Sequence, residues 1–132
     1  MIWITKEQVI MMQQRILDRY QNEHGLSGIK NEGSLDSALA DPLQGGFGCE
    51  YHPSLVEKAA TLGYSLIMNH AFHDGNKRIG ALAMLTVLRL NKIEFSASGR
   101  ELSDEVFAVA SGKVRGDEFC RWLKEHCRNA SA

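Results

Sequence analysis

The chain has 132 residues, a formal net charge of −1 and an apolar share of 44%. That length makes one domain able to bury a real core, and the near-neutral charge excludes any global attraction to nucleic acid or membrane, so an anion site must be local. Three cysteines, Cys49, Cys120 and Cys127, without C-x-x-C spacing exclude a disulfide framework and a zinc ribbon.

In chain order, Thr5 and Gln8 have capping-box spacing, with Ile4 and Val9 placed as a hydrophobic staple. Val9, Met12, Ile16 and Tyr20 repeat at helical spacing, Met11 and Met12 read as core filler, and Gly25 is a stop. Ser34 is expected to cap a short helix through Leu35, Ala38 and Leu39, ending near Asp41 because Pro42 follows. LQGGFGCEYH then reads as a glycine-rich loop. His52-Pro53 is expected to open a central helix with proline at its first position. Its apolar residues fall on two faces: Leu55, Ala59, Leu62 and Leu66, then Val56, Ala60, Gly63 and Ile67. Ile79–Leu90 is apolar almost all round, with Asn91 as a candidate left-handed cap.

Ile93 and Phe95 suggest a brief extended piece but no sheet. Ser103 is expected to cap a helix through Val106, Phe107 and Ala110 that Gly112 closes, and a last helix starts near Asp117 with Phe119, Trp122 and Leu123 inward. If that helix continues, Cys120 and Cys127 stand about 10.5 Å apart along it, too far to bridge. The expected class is all-α: one domain over residues 1–132, a compact bundle of about six helices. Lys6 and Glu7 interrupt any signal-peptide pattern, and no apolar run reaches membrane-spanning length, so a cytoplasmic protein with reduced thiols is expected.

The chemistry concentrates in His70–Arg78, HAFHDGNKR, where one apolar helix ends and the next begins. Gly75 can reverse the chain at positive φ. Asn76, Lys77 and Arg78 then occupy a first helical turn, where unpaired N–H groups and the helix dipole attract an anion. Two cations there are unfavourable unless a phosphate chain joins them; Arg78 can fork onto two oxygens while Lys77 supplies a point charge. Asp74 can hold Mg²⁺ through an oxygen, with water and phosphate completing the shell. His70 is the side chain best able to take a proton from an attacking hydroxyl.

These nine residues match the signature H-x-F-x-[DN]-[AG]-N-[KG]-R, seven of whose positions are specified, and the chain resembles the Fic/Doc family in its Doc (death-on-curing) branch. GIKNEGSLDSALADP and VASGKVRGDEFCRWL extend the likeness over most of the chain. The resemblance implies a small all-α toxin of a toxin–antitoxin pair, transferring the γ-phosphate of ATP with Mg²⁺ to a threonine of a translation factor such as elongation factor Tu. It further implies His70 as general base, Asp74 as the metal-associated carboxylate, Gly75 and Asn76 in the phosphate nest, and Lys77 and Arg78 as catalytic stabilisers of the transferring phosphate. Phe72 would anchor the loop; the signature assigns Ala71 and His73 nothing. AMP-transferring relatives usually carry glycine at Lys77 and a second arginine at Ala81, so both departures favour kinase-like chemistry, with AMP transfer the alternative.

By the same resemblance, residues about 42–52 form a flap that holds the target, with Gly45, Gly46 and Phe47 in contact; an ordinary surface loop is the plain alternative. No [S/T]-x-x-x-E-[G/N] string for self-restraint is present, so restraint is expected from an antitoxin whose disordered C-terminal segment folds on binding. Two rivals stand apart. His52, His73 and Asp74 can imitate a metal-dependent phosphohydrolase, which leaves Gly75–Arg78 unexplained, and a relic loop would make the protein a mere partner-binding module. His24, His126, Lys92, Arg100, Lys113 and Arg115 read as ordinary surface.

Overall fold

The structure is a computed structural model that describes residues 1–19, 28–46, 49–50, 54–72 and 75–129. Among the described residues it contains six α-helices: α1 (Lys6–Arg19), α2 (Glu32–Ala40), α3 (Leu55–Met68), α4 (Asn76–Leu90), α5 (Gly99–Ala110) and α6 (Gly116–Glu125). Two antiparallel pairs accompany them: β1 (Gly45–Gly46) with β2 (Cys49–Glu50), and β3 (Ile93–Phe95) with β4 (Cys127–Asn129). The all-α bundle expected from the periodicity is therefore present. No helix among the described residues is long and apolar enough to cross a membrane.

Helix α3 packs most extensively on α4, and these two carry the core. Both faces of α3 are used: Ala59, Ala60, Leu62, Leu66 and Ile67 are buried, and α4 answers with Ile79, Ala83, Met84, Val87 and Leu88. The pair runs antiparallel and very close. A Cβ on Gly63 would lie 3.1 Å from the Met84 sulfur, and one on Gly80 would lie 2.6 Å from Ile67 Cγ1 and 2.8 Å from the Gly63 carbonyl oxygen. The two glycines let backbone meet backbone, which brings the α3–α4 connection to a fixed place at the bundle's end.

Several ends differ from their sequence-based expectation. The Thr5–Gln8 box forms reciprocally, at 2.8 and 3.2 Å, and Ile4 and Val9 are buried as a staple requires. Met12 packs on the core, but Met11 points to solvent at 51% exposure, because a helix turns 100° per residue and cannot bury both. Helix α2 starts three residues before the expected Ser34: Asn31 is its cap, its side-chain oxygen accepting from the Ser34 N–H at 3.0 Å. It stops at Ala40, where Asp41–Leu43 tightens into a 3-10 turn around Pro42. Helix α3 is capped by Ser54 accepting from the Glu57 N–H, while His52 and Pro53 lie outside the described residues, as do Tyr20 and Gly25. Asn91 is not left-handed. Lys92 takes that conformation (φ 59°), and the Asn91 amide instead donates to the Val87 and Ile2 carbonyls.

The cap of α5 is Ser98 rather than Ser103, in a complete box with Glu101. Ser98's N–H and side chain hold the Glu101 carboxyl below its ordinary value of 4.5. A lowered folded-state value contributes stability above the unfolded one and loses it as pH falls through the folded one. Because the largest cause is the main-chain N–H of Ser98, Glu101→Ala is the variant expected to destabilise the protein at neutral pH and to flatten the acid limb of its stability curve below pH 4.5, as read by urea unfolding across that range. The extended piece at Ile93–Phe95 does form a sheet, because the chain leaving α6 returns beside it; six helices of period 3.6 gave no sign of that distant pairing. Cys120 and Cys127 are free and half-buried, and burial pushes the Cys127 thiol up to about 11. Cys127 lies in β4, not in a continuing helix.

Candidate active site

The connection between α3 and α4 is held by main-chain bonds from a distant segment. Ala71 and Phe72 are fully buried. The Ala71 carbonyl accepts from the N–H groups of Lys30 (2.8 Å) and Asn31 (3.1 Å), and Phe72 bridges Ile29 as a one-residue antiparallel pair. Asn31 thus joins two structures, since its side chain also caps α2. Phe72 is the core anchor expected of it.

Asn76 closes the loop from the other side. Its Oδ1 accepts from the Phe72 N–H at 3.1 Å and its Nδ2 donates to the Phe72 carbonyl at 2.9 Å, so one amide replaces a main-chain pairing. The side chain serves as a clamp, leaving the backbone N–H as what Asn76 can offer an anion. Asn76→Ala is expected to remove both bonds, at about 1 kcal/mol each. Hydrogen exchange at the Phe72 amide should then quicken while the rest of the bundle keeps its protection.

On either side of these anchors the candidate positions His70, Lys77 and Arg78 are exposed. His70 is exposed and sits at φ 50°, a conformation that costs a residue with a Cβ on the order of 1–3 kcal/mol. Gly75 follows at φ 80° as the N-cap of α4, the left-handed position that its lack of a Cβ suits. No side chain among the described residues caps α4, its first turn carries no acidic residue, and its first backbone bond runs from the Ile79 N–H to the Gly75 carbonyl. The N–H groups of Asn76 and Lys77 precede that bond and point out of the helix end. Lys77 and Arg78 are both exposed on this turn.

The structure thus brings His70, Gly75, Asn76, Lys77 and Arg78 to one end of the bundle. Asp74 and His73 lie outside the described residues. Among those described, no group of three or more metal-ligating side chains occurs. Of the expected flap residues, Gly45 and Gly46 pair with Glu50 and Cys49 in a short antiparallel pair, while Phe47 lies outside the described residues.

Two features of the site escaped the sequence. Ala71, which the signature leaves variable, supplies the carbonyl that ties the loop down; only its position between two anchored residues could have hinted at it. Phe107, read merely as an apolar residue of α5, is 62% exposed, and the Lys77 ammonium lies 5.8 Å from its ring centroid, within cation–π range.

An exposed imidazole and a cation-bearing helix N-terminus thus lie at one end of an all-α scaffold, an arrangement suited to receiving an anion. The Fic/DOC family pattern matches residues 3–88, the stretch from before α1 to near the end of α4. The chain belongs to the Fic/Doc family. It is similar to the protein named Toxin Doc of Mycolicibacterium smegmatis, 41% identical over 69 residues, which are 52% of this chain and 53% of that protein. The chain spans about half the length of that curated relative.

Proposed function

We propose that the protein is a Doc-like toxin that transfers the γ-phosphate of ATP to a hydroxyl of a protein target, a threonine of a translation factor such as elongation factor Tu being the expected acceptor. The observation that carries this reading is the pairing of an exposed His70 at positive φ with the first turn of α4, which no side chain among the described residues caps and on which Lys77 and Arg78 are both exposed. An acceptor hydroxyl at His70 meets an imidazole able to take its proton. A phosphate chain at the α4 N-terminus meets backbone N–H groups, the positive end of the helix dipole and the two cations. Phosphoryl transfer requires little beyond such positioning and charge neutralisation.

Lys77 favours γ-phosphate transfer over AMP transfer. A glycine there would admit backbone close to the phosphates, whereas lysine fills that space with a charge. Asp74 supplies the one carboxylate of the motif, which suits Mg²⁺, an ion that takes one or two protein carboxylates and completes its shell with water and phosphate oxygens. When bound, Mg²⁺ would neutralise charge on the phosphates. The name of the M. smegmatis relative supports the toxin reading, and with it a cytoplasmic protein restrained by an antitoxin whose C-terminal segment folds on binding.

The test incubates the protein with Mg²⁺, purified elongation factor Tu and ATP labelled at either the γ- or the α-phosphate. Label from the γ position alone is expected. Label from the α position would replace the kinase reading with AMP transfer, and no label from either would remove elongation factor Tu as the target.

A further inference from the structure

The far end of α4, remote from the motif, carries a groove of about 410 Å³. Leu85 and Leu88 of α4 and Ile93 and Phe95 of β3 make it apolar, and Arg89, Lys92 and Glu94 supply its charges. Those charges do not cancel. Glu94 is taken by Arg128 at 2.8 Å, whereas neither Arg89 nor Lys92 has a partner among the described residues. The groove therefore offers an apolar lining with two unspent cations.

Its wall is also an open strand edge. Among the described residues β3 pairs only with β4, and the Ser96 N–H donates to the His126 carbonyl on that side. Because backbone groups alternate along a strand, those of Ile93 and Phe95 point to the opposite, unpaired edge. An unpaired edge beside an apolar groove is the arrangement that accepts an added extended segment: main-chain bonds give affinity, and alternate side chains enter the groove.

We infer that this groove is a docking site for an extended segment of another protein that alternates apolar and acidic residues. The apolar side chains enter between Leu85, Leu88 and Phe95, and the carboxylates meet Arg89 and Lys92. Along α4 the groove stands about 16 Å from Arg78, eleven residues at 1.5 Å each. Arg78, Leu82, Leu85 and Arg89 follow one face of the helix at spacings of four, three and four, and Leu82 is 40% exposed. A segment held in the groove can thus continue along α4 toward the motif without covering it. The inference is independent of the chemistry proposed for the motif.

The test titrates the full chain into a dye-labelled eight-residue peptide alternating leucine and glutamate, with a leucine–lysine peptide as control, and reads fluorescence anisotropy. The acidic peptide is expected to bind at least tenfold more tightly than the basic one, and added salt should shrink that margin. Arg89→Glu with Lys92→Glu should abolish the preference with circular dichroism unchanged, and Leu85→Gln should weaken binding of the acidic peptide. Failure of the acidic peptide to bind, equal binding of both peptides, or indifference to the charge reversal would overturn the inference. So would a dimer seen in sedimentation that the charge reversal dissociates, since the occupant would then be a second copy of this chain.

Discussion

His70→Ala is expected to lower phosphate transfer by about 10²–10⁴-fold, the usual contribution of a positioned general base, with the far-ultraviolet spectrum unchanged. The conservation of fold follows from the site's construction: the imidazole is exposed, and the loop is held by Ala71, Phe72 and Asn76 rather than by His70. The backbone at φ 50° allows a sharper version. Glycine adopts that conformation without a Cβ clash, so His70→Gly should lose the same activity while unfolding no more easily than the parent in urea. Activity retained by either variant would remove the base from His70. Joint loss of activity and stability in both would make the residue structural.

Gly80 gives the largest expected effect on stability. Alanine is normally the better helix residue by about 1 kcal/mol, but here its Cβ would meet the Gly63 carbonyl oxygen at 2.8 Å and Ile67 Cγ1 at 2.6 Å. A side chain can rotate away, whereas a helix backbone cannot, so α3 and α4 would have to separate along their whole contact. Overpacking of this kind costs about 1–3 kcal/mol, and Gly80→Val should sit at or above the upper end. Gly99 is the control: nothing lies within 4 Å of its notional Cβ, so Gly99→Ala should leave the denaturation midpoint unchanged or raise it. If Gly80→Ala proved as harmless as Gly99→Ala, the close helix crossing would be wrong. Because α4 also carries the motif, Gly80→Ala should impair activity beyond its share of unfolded protein.

What was legible in the sequence had a period or a fixed spacing. Leu55–Met68 and the run ending at Leu90 announced the central helices through their apolar patterns, and Thr5 and Gln8 announced α1 by capping geometry. The motif was legible for a related reason: all its chemistry falls within nine consecutive residues, at a helix junction that local rules locate. The illegible parts depend on distant segments. Asn31 and Ser34 are both good caps three residues apart, and tertiary packing chooses between them, whereas Ser98 did carry a local mark in Glu101 three residues on, the capping-box spacing that Ser103 lacks. The β3–β4 pairing joins residues more than thirty positions apart, and the role of Ala71 is a backbone role that any residue type can hide. Phe107 shows the same limit from the other side. Its spacing in α5 marks it as apolar, but only the placement of α5 beside Lys77 shows that it stands in solvent at the edge of the site.

The bonds from Lys30 and Asn31 to the Ala71 carbonyl span about forty residues of chain. Closing a loop of that length costs entropy before any contact repays it, so these bonds belong with the late steps of folding rather than the early local ones. Helices α3 and α4 can form from their own residues, yet the junction between them acquires its shape only when the segment before α2 has docked. A nascent or partly unfolded chain would therefore carry every reactive side chain of the motif and still lack the arrangement that makes them act together. Under the proposed function, activity arrives with the completed fold and is lost with that docking.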